Sequence, residues 1–342
     1  MSMRSELGES PVLFERLLAG AVDQVGAVAR AVRERDIDLV VIAARGTSDH
    51  AALYGQYILG ARNGLLVVPA APSLVSIYGA PPRLHNALVI GISQSGRSPD
   101  VVAVLDQARR QGAPTVAITN ELGSELAGAA DHVIELEAGP ERAVAATKTY
   151  LAEIAVLAML SSALSGDEAS ARELGAIPDA LRTAMEQEQR VEELARSWAS
   201  ERVCAVLARG FHYATAREWA LKLKELAYLL ADPYSGADFQ HGPIALVHEG
   251  FPVLAVATSG PALDGMAELL ERVREAGARL LVMSDDPAVR ALGDGVALPS
   301  VPEWLSPLVA IIPAQLFAYH LARARGLDTE APRNLSKVTL TL

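Results

Sequence analysis

Apolar and polar positions divide this chain into short, wholly apolar runs and longer amphipathic ones. Apolar runs at 38–44, 65–69, 87–92, 114–119 and 132–136 lack polar alternation, as expected of strands covered on both faces of a parallel sheet. Helical periodicity fills about 48–61, 98–111 and 123–129, and turn signals such as Gly112-Ala113-Pro114 separate the segments. The order predicts an α/β fold, a parallel sheet with helices on both faces. Helical patterns alone occupy about 146 to 199. From 202 the first pattern returns: Ala44-Arg45-Gly46 recurs as Ala208-Arg209-Gly210, and Val116-Ala117-Ile118-Thr119 is echoed by Leu281-Val282-Met283-Ser284. Two tandem copies of one unit are expected. The expected organisation is an N-terminal helical segment at 1–30, a first α/β domain at 31–165, a helical connector at 166–199, and a second α/β domain with a C-terminal tail at 200–342.

The third apolar run leads straight into candidate chemistry. Residues 89–98 read Val-Ile-Gly-Ile-Ser-Gln-Ser-Gly-Arg-Ser, followed by Pro99. Proline is favoured in a helix's first turn, so a helix is expected to start near 98. Its amide groups and positive dipole end would face Ser93, Ser95 and Ser98, whose hydroxyls can donate to a phosphate. The simpler alternative is an ordinary strand–turn–helix with Ser98 as N-cap. The second copy continues Ser259-Gly260-Pro261 without a third hydroxyl, so one strong phosphate loop is expected, in the first half.

Composition narrows the partners. With 51% hydrophobic and 21% charged residues, 342 residues can bury a large core. The net charge of −11 argues against nucleic acid, and means that any phosphate must be held by local donors. Cys204, the one cysteine, excludes an intramolecular disulfide and lies in an apolar run, so a buried inert thiol is expected. The apolar stretch Leu151–Leu164 contains Glu153 and is too short to cross a bilayer; it reads as a buried or interface helix. The first residues lack a hydrophobic targeting core, so a cytoplasmic protein with no membrane partner is expected. No histidine pair has metal-ligand spacing with carboxylate support, so neither metal nor cofactor is expected.

Three further groups could carry chemistry. Glu218, Lys222 and Glu225 share one face of a helix expected at about 214–231. They are either a solvated, salt-bridged stripe or a carboxylate base tuned by a lysine. His241, in Gln240-His241-Gly242-Pro243, sits in a tight turn after a loop expected at 231–236, where a histidine can do acid–base work or be incidental. Lys337 follows Pro332-Arg333-Asn334-Leu335-Ser336; it is either solvated or folded back over a site, where a neutral amine could form a Schiff base with a sugar carbonyl.

Taken together, Arg45-Gly46-Thr47-Ser48, the loop Ser93 to Ser98, Ala143-Val144-Ala145-Ala146-Thr147-Lys148, Ala220 to Glu225, Gln240 to Pro243 and Pro332 to Lys337 resemble the sugar isomerase (SIS) domain family. The likeness is to the isomerase half of glucosamine-6-phosphate synthase and to stand-alone glucosamine-6-phosphate deaminases. It implies two doubly wound, flavodoxin-like SIS subdomains and a homodimer with shared active sites. Carried over by position, Thr47, Ser48, Ser93, Gln94, Ser95, Ser98 and Ala145 would bind the sugar phosphate. Glu225 would move a proton between C1 and C2, with Glu218 and Lys222 in support. His241 would open the ring, often from the partner subunit, and Lys337 would face the open-chain carbonyl.

Some positions depart from that pattern. Arg97 and Asp238 stand where the synthase has glutamate, and Ala146 where it has serine. Residue 2 is Ser2, and no glutaminase domain with its N-terminal cysteine is seen, so glutamine-dependent synthesis is not expected. The reading that results is an amino-sugar phosphate deaminase and isomerase converting glucosamine 6-phosphate to fructose 6-phosphate and ammonia. The alternatives are another phosphosugar isomerase, a fructosamine-6-phosphate deglycase, an ammonia-dependent synthase, or a non-catalytic sugar-phosphate regulator.

Overall fold

The computed structural model describes residues 2–337. Among the described residues the chain divides into two compact units that interleave along the sequence: 12–141 with 148–175 and 336–337, and 2–11 with 142–147 and 176–335. Each contains one five-stranded, all-parallel sheet.

In the first of these units the strands are β1 (Leu39–Ala43), β2 (Leu66–Pro69), β3 (Ala87–Ile92), β4 (Thr115–Thr119) and β5 (His132–Glu135), in the order β2-β1-β3-β4-β5. The central strand β3 is buried at every position, which is why its sequence is apolar throughout. Gly91 on β3 is required by packing: a Cβ there would lie 2.7 Å from Leu105 Cδ1 and 2.9 Å from Leu126 Cδ1. The helix Pro99–Arg110 therefore lies closer to the sheet than a side chain at 91 would allow. The helix Lys148–Ser165, which contains the apolar stretch noted above, is buried along nearly its whole length.

The other unit repeats the plan with β6 (Val203–Ala208), β7 (Leu230–Ser235), β8 (Pro252–Val256), β9 (Arg279–Ser284) and β10 (Asp294–Ala297), ordered β10-β9-β8-β6-β7. Read from the other edge this is the same order as in the first sheet. The expected helix at about 214–231 runs instead over His212–Ala227, and the loop expected at 231–236 is largely the edge strand β7. The cause is Tyr228, whose left-handed backbone (φ +53°) ends the helix and turns the chain into β7, paired with β6 from Leu230 onward. The stretch Glu303–Ala324 is long and apolar enough to cross a membrane, but 94% of its apolar window is buried inside the protein, as in a core helix.

Candidate active site

In doubly wound sheets, ligands bind beyond the carboxyl ends of the strands where the strand order reverses. In the first sheet that point lies between β1 and β3. The turn after β1 carries Arg45 and Gly46 and starts the helix Thr47–Asn63; the turn after β3 is the serine loop and starts the helix Pro99–Arg110. Each strand ends and each helix begins at this place.

The serine loop is tightly folded. Ser93 is buried; its Oγ accepts from the Gly96 N–H (3.2 Å) and lies 3.4 Å from Ser98 Oγ. Gln94, Ser95 and Ser98 are half-buried, and Arg97 is exposed. Gly96 has φ +61°, and a Cβ on it would collide with Ser124 Oγ at 2.1 Å, so only glycine fits. The Gly96 carbonyl accepts from the Leu126 N–H (3.1 Å) and the Gln94 carbonyl from the Asn120 N–H (3.1 Å), which staples the loop to the chain after β4. Ser98 occupies the N-cap position, but its side chain makes no cap bond. The Val101 and Val102 amides go to the Ser98 carbonyl, and Val101 also donates to Asp100 Oδ1. The Gly96, Arg97 and Val101 amides are thus committed within the loop and first turn.

Three partnerships in this unit escaped the sequence reading. Arg45 pairs with the wholly buried Asp100, with Nε and Nη2 each 2.6 Å from Oδ2. The pair ties the turn after β1 to the turn after β3. Ser48 is buried and donates to Glu153 Oε1 at 2.7 Å, and Thr47, the first residue of its helix, is half-buried beside it. At Lys337, Nζ lies 2.7 Å from Oε2 of the buried Glu141, which also accepts from the Thr149 hydroxyl (2.8 Å). The tail lysine is therefore neither freely solvated nor unpaired.

In the other unit, the helix His212–Ala227 presents Glu218, Lys222 and Glu225 on one face. Lys222 Nζ lies 2.5 Å from Glu225 Oε2 and 3.4 Å from Glu218 Oε1. The side chains of Glu218 and Lys222 are fully buried, and that of Glu225 is 20% exposed. A solvated stripe is excluded by that burial. The arrangement is a carboxylate at the surface of the core, oriented by an ammonium held from behind. His241 lies on an exposed turn after the short helix Gly236–Phe239, and among the described residues its imidazole makes no hydrogen bond.

Ala145 is buried in the segment 142–147, whose entry is held by Glu6: the carboxylate accepts from the Arg142 (2.6 Å) and Ala143 (3.2 Å) amides. Gln315 Nε2 donates to the Thr147 carbonyl at 3.4 Å. Neither partner was found from sequence, because nothing in the N-terminal helix Met3–Gly8 marks Glu6 as buried.

The switch point of the second sheet, between β6 and β8, is occupied by its own side chains. His212 Nε2 lies 2.9 Å from Thr258 Oγ1 and 2.7 Å from Ser306 Oγ, and the remaining cavity is about 10 Å³, room for about one water. Burial drives the His212 imidazole down to about 3, so it is neutral. Cys204 is buried, and burial pushes its thiol well above the ordinary range. Among the described residues no group of three or more His, Cys, Asp or Glu could hold a metal ion.

The fold is a tandem, doubly wound α/β arrangement, with a serine-rich loop at the strand-order reversal of the first sheet. The chain belongs to the SIS domain family, whose pattern it matches at residues 35–163 and 199–325. It is 38% identical over 347 aligned positions to the glutamine–fructose-6-phosphate aminotransferase (isomerizing) of Methanothermobacter thermautotrophicus, covering 98% of this chain and 56% of that protein. The chain thus spans somewhat over half the length of the curated relatives it matches. A Silicibacter pomeroyi structure, proposed to be a phosphosugar isomerase, superposes with a TM-score of 0.87 at 36% identity, over 96% of this chain and all of that one. Glucosamine-6-phosphate deaminase of Thermotoga maritima shares the fold, with a TM-score of 0.79 at 22% identity over 98% and 99% of the two chains.

Proposed function

We propose that this protein is a phosphosugar isomerase that acts on an amino-sugar phosphate, deaminating glucosamine 6-phosphate to fructose 6-phosphate and ammonia. The observation that carries the reading is the Glu218–Lys222–Glu225 group. A buried ammonium that pins one accessible carboxylate is what proton transfer needs and what simple ligand binding does not. The serine loop would hold the phosphate at C6, with Thr47, Ser48 and Ala145 towards the sugar. His241, whose exposed imidazole makes no hydrogen bond among the described residues, would deliver a proton to the ring oxygen, from the same chain or from a second copy in a homodimer.

The chemistry balances without a cofactor. Ring opening exposes a C1 aldehyde beside the C2 amine. Glu225 takes the C2 proton as O1 gains a proton, giving a C1–C2 enolamine, and returns its proton to C1 as the C2 amine loses one N–H proton, leaving a C1 alcohol and a C2 imine with no net change in protons. Water adds at C2 and ammonia leaves, so one water is consumed for each ammonia released. Lys337 would stand at the carbonyl end, with Glu141 fixing its position. In this scheme the base shuttles one proton between adjacent carbons, and the phosphate contacts are the same in ground and transition states.

The test is Glu225→Gln. Turnover is expected to fall by about 10²-fold to 10⁴-fold, the usual worth of a positioned base, with KM little changed. Unchanged turnover would remove the assignment of the base. Binding of the hexose phosphate with no turnover in the parent protein would instead favour a regulator.

A further inference from the structure

We propose that a cavity of about 700 Å³ in the unit containing β6–β10, lined by Arg202, Tyr228, Arg325, Asp328 and Arg333, is a second binding site, for a small phosphorylated metabolite. It is built from residues that have no part in the phosphate loop or the proton-transfer group. In a chain of net charge −11, this one lining carries three guanidiniums against one carboxylate.

Two of those guanidiniums are fixed in place. Arg325 donates from Nε to the Ala199 carbonyl (3.0 Å), from Nη1 to the Ala227 carbonyl (2.6 Å), and from Nη2 to the Glu201 carbonyl. It thereby closes the C-terminal ends of the helices Glu188–Ser197 and His212–Ala227. Burial, and after it the charge on Arg202, lowers the Arg325 guanidinium below its ordinary value. Like charges press on each other there, and a bound anion would relieve that pressure. Arg333 lies with its guanidinium carbon 3.8 Å from the centre of the Tyr228 ring, and its backbone N–H donates to the Tyr228 hydroxyl at 2.8 Å. Stacking on one face leaves the edge N–H groups of the fork to face outward. Asp328, the opposing charge, accepts from the Glu330 N–H at 2.9 Å.

Rigid, planar guanidiniums recognise phosphate through paired hydrogen bonds. The volume is within the range of small-molecule sites, and large enough for more than inorganic phosphate. The lining also joins the C-terminal end of the helix that carries Glu225 to the segment 326–333, which leads into Lys337. An anion bound here would restrain that tail. This last consequence rests on the proposed isomerase activity; the binding itself does not.

The experiment is equilibrium dialysis of the whole chain with inorganic pyrophosphate. It compares the parent, Arg202→Gln with Arg333→Gln, and Ser93→Ala with Ser95→Ala. The parent is expected to bind two equivalents, the arginine variant to lose one with at least tenfold weaker affinity, and the serine variant to lose the other. An arginine variant that binds as the parent does overturns the proposal. A serine variant that keeps both equivalents removes the phosphate-loop assignment and leaves this proposal standing. Should the double arginine variant fail to fold by circular dichroism, Arg202→Glu alone, at an exposed position, replaces it with the same expectation. Displacement of pyrophosphate from the arginine site by a nucleoside monophosphate or by a hexose phosphate identifies the metabolite class, and displacement by neither also overturns the proposal.

Discussion

Lys337 illustrates how a residue's chemistry depends on a partner far away in the chain. The spacing near the C-terminus could say only that this lysine was either solvated or folded back. The structure pairs it with Glu141, a carboxylate with no exposed side-chain surface that also takes the Thr149 hydroxyl. If Glu141 positions the amine, Glu141→Gln should lower kcat on the order of tenfold to a hundredfold with KM changed less than about twofold, because misplacing a reacting group costs rate more than binding. Steady-state kinetics on glucosamine 6-phosphate would read this, and parental kcat in the variant would end the positioning role. The partnerships Glu141–Lys337, Arg45–Asp100 and Glu6–Arg142 link residues far apart in sequence. Periodicity reports which face of an element is buried and carries no information about which distant charge will meet it. The residue types on Glu218, Lys222 and Glu225 were legible because helical spacing alone puts them on one face.

At the scale of elements, the strands of the first sheet and the helix starting at Pro99 were readable because wholly apolar runs and a proline at the first turn are strong local signals. The edge strand β7 was not. Its sequence Leu-Ala-Asp-Pro-Tyr-Ser contains Pro233 and Asp232, both poor strand residues, and only an edge, with one neighbour to satisfy, accommodates them. Close packing of elements gives a direct test. Gly91→Ala puts a methyl 2.7 Å from Leu105 Cδ1, and overpacking of this kind should cost about 1–3 kcal/mol in urea unfolding; a loss near zero would mean that the helix can retreat from the sheet. The plugged switch point of the second sheet gives another. His212 is held neutral in the folded protein with its value driven down to about 3, whereas the unfolded chain takes up a proton below about 6.5. Its contribution is therefore complete above about pH 6.5 and is lost as the pH falls. Between about pH 6 and pH 4 the parent should lose roughly 1.4 kcal/mol per pH unit more than His212→Asn does. Equal acid sensitivity of the two proteins would contradict the buried neutral imidazole.

For the molecule as a whole, duplication followed by divergence accounts for the distribution of chemistry. Both units keep the same strand order, but the first keeps its switch point for a serine loop while the second fills the corresponding place with His212, Thr258 and Ser306. The second unit in turn carries the helix of Glu218, Lys222 and Glu225 at the position where the first has the helix Thr47–Asn63. Against the acidic balance of the chain, three arginines gather at the 700 Å³ cavity. In the proposed activity these parts together serve turnover of an amino-sugar phosphate. The direct measurement is to incubate the purified protein with glucosamine 6-phosphate and to follow ammonia and fructose 6-phosphate together. The proposed activity requires both products in equal amounts, growing in proportion to enzyme. Saturable binding of the substrate with neither product formed would contradict it.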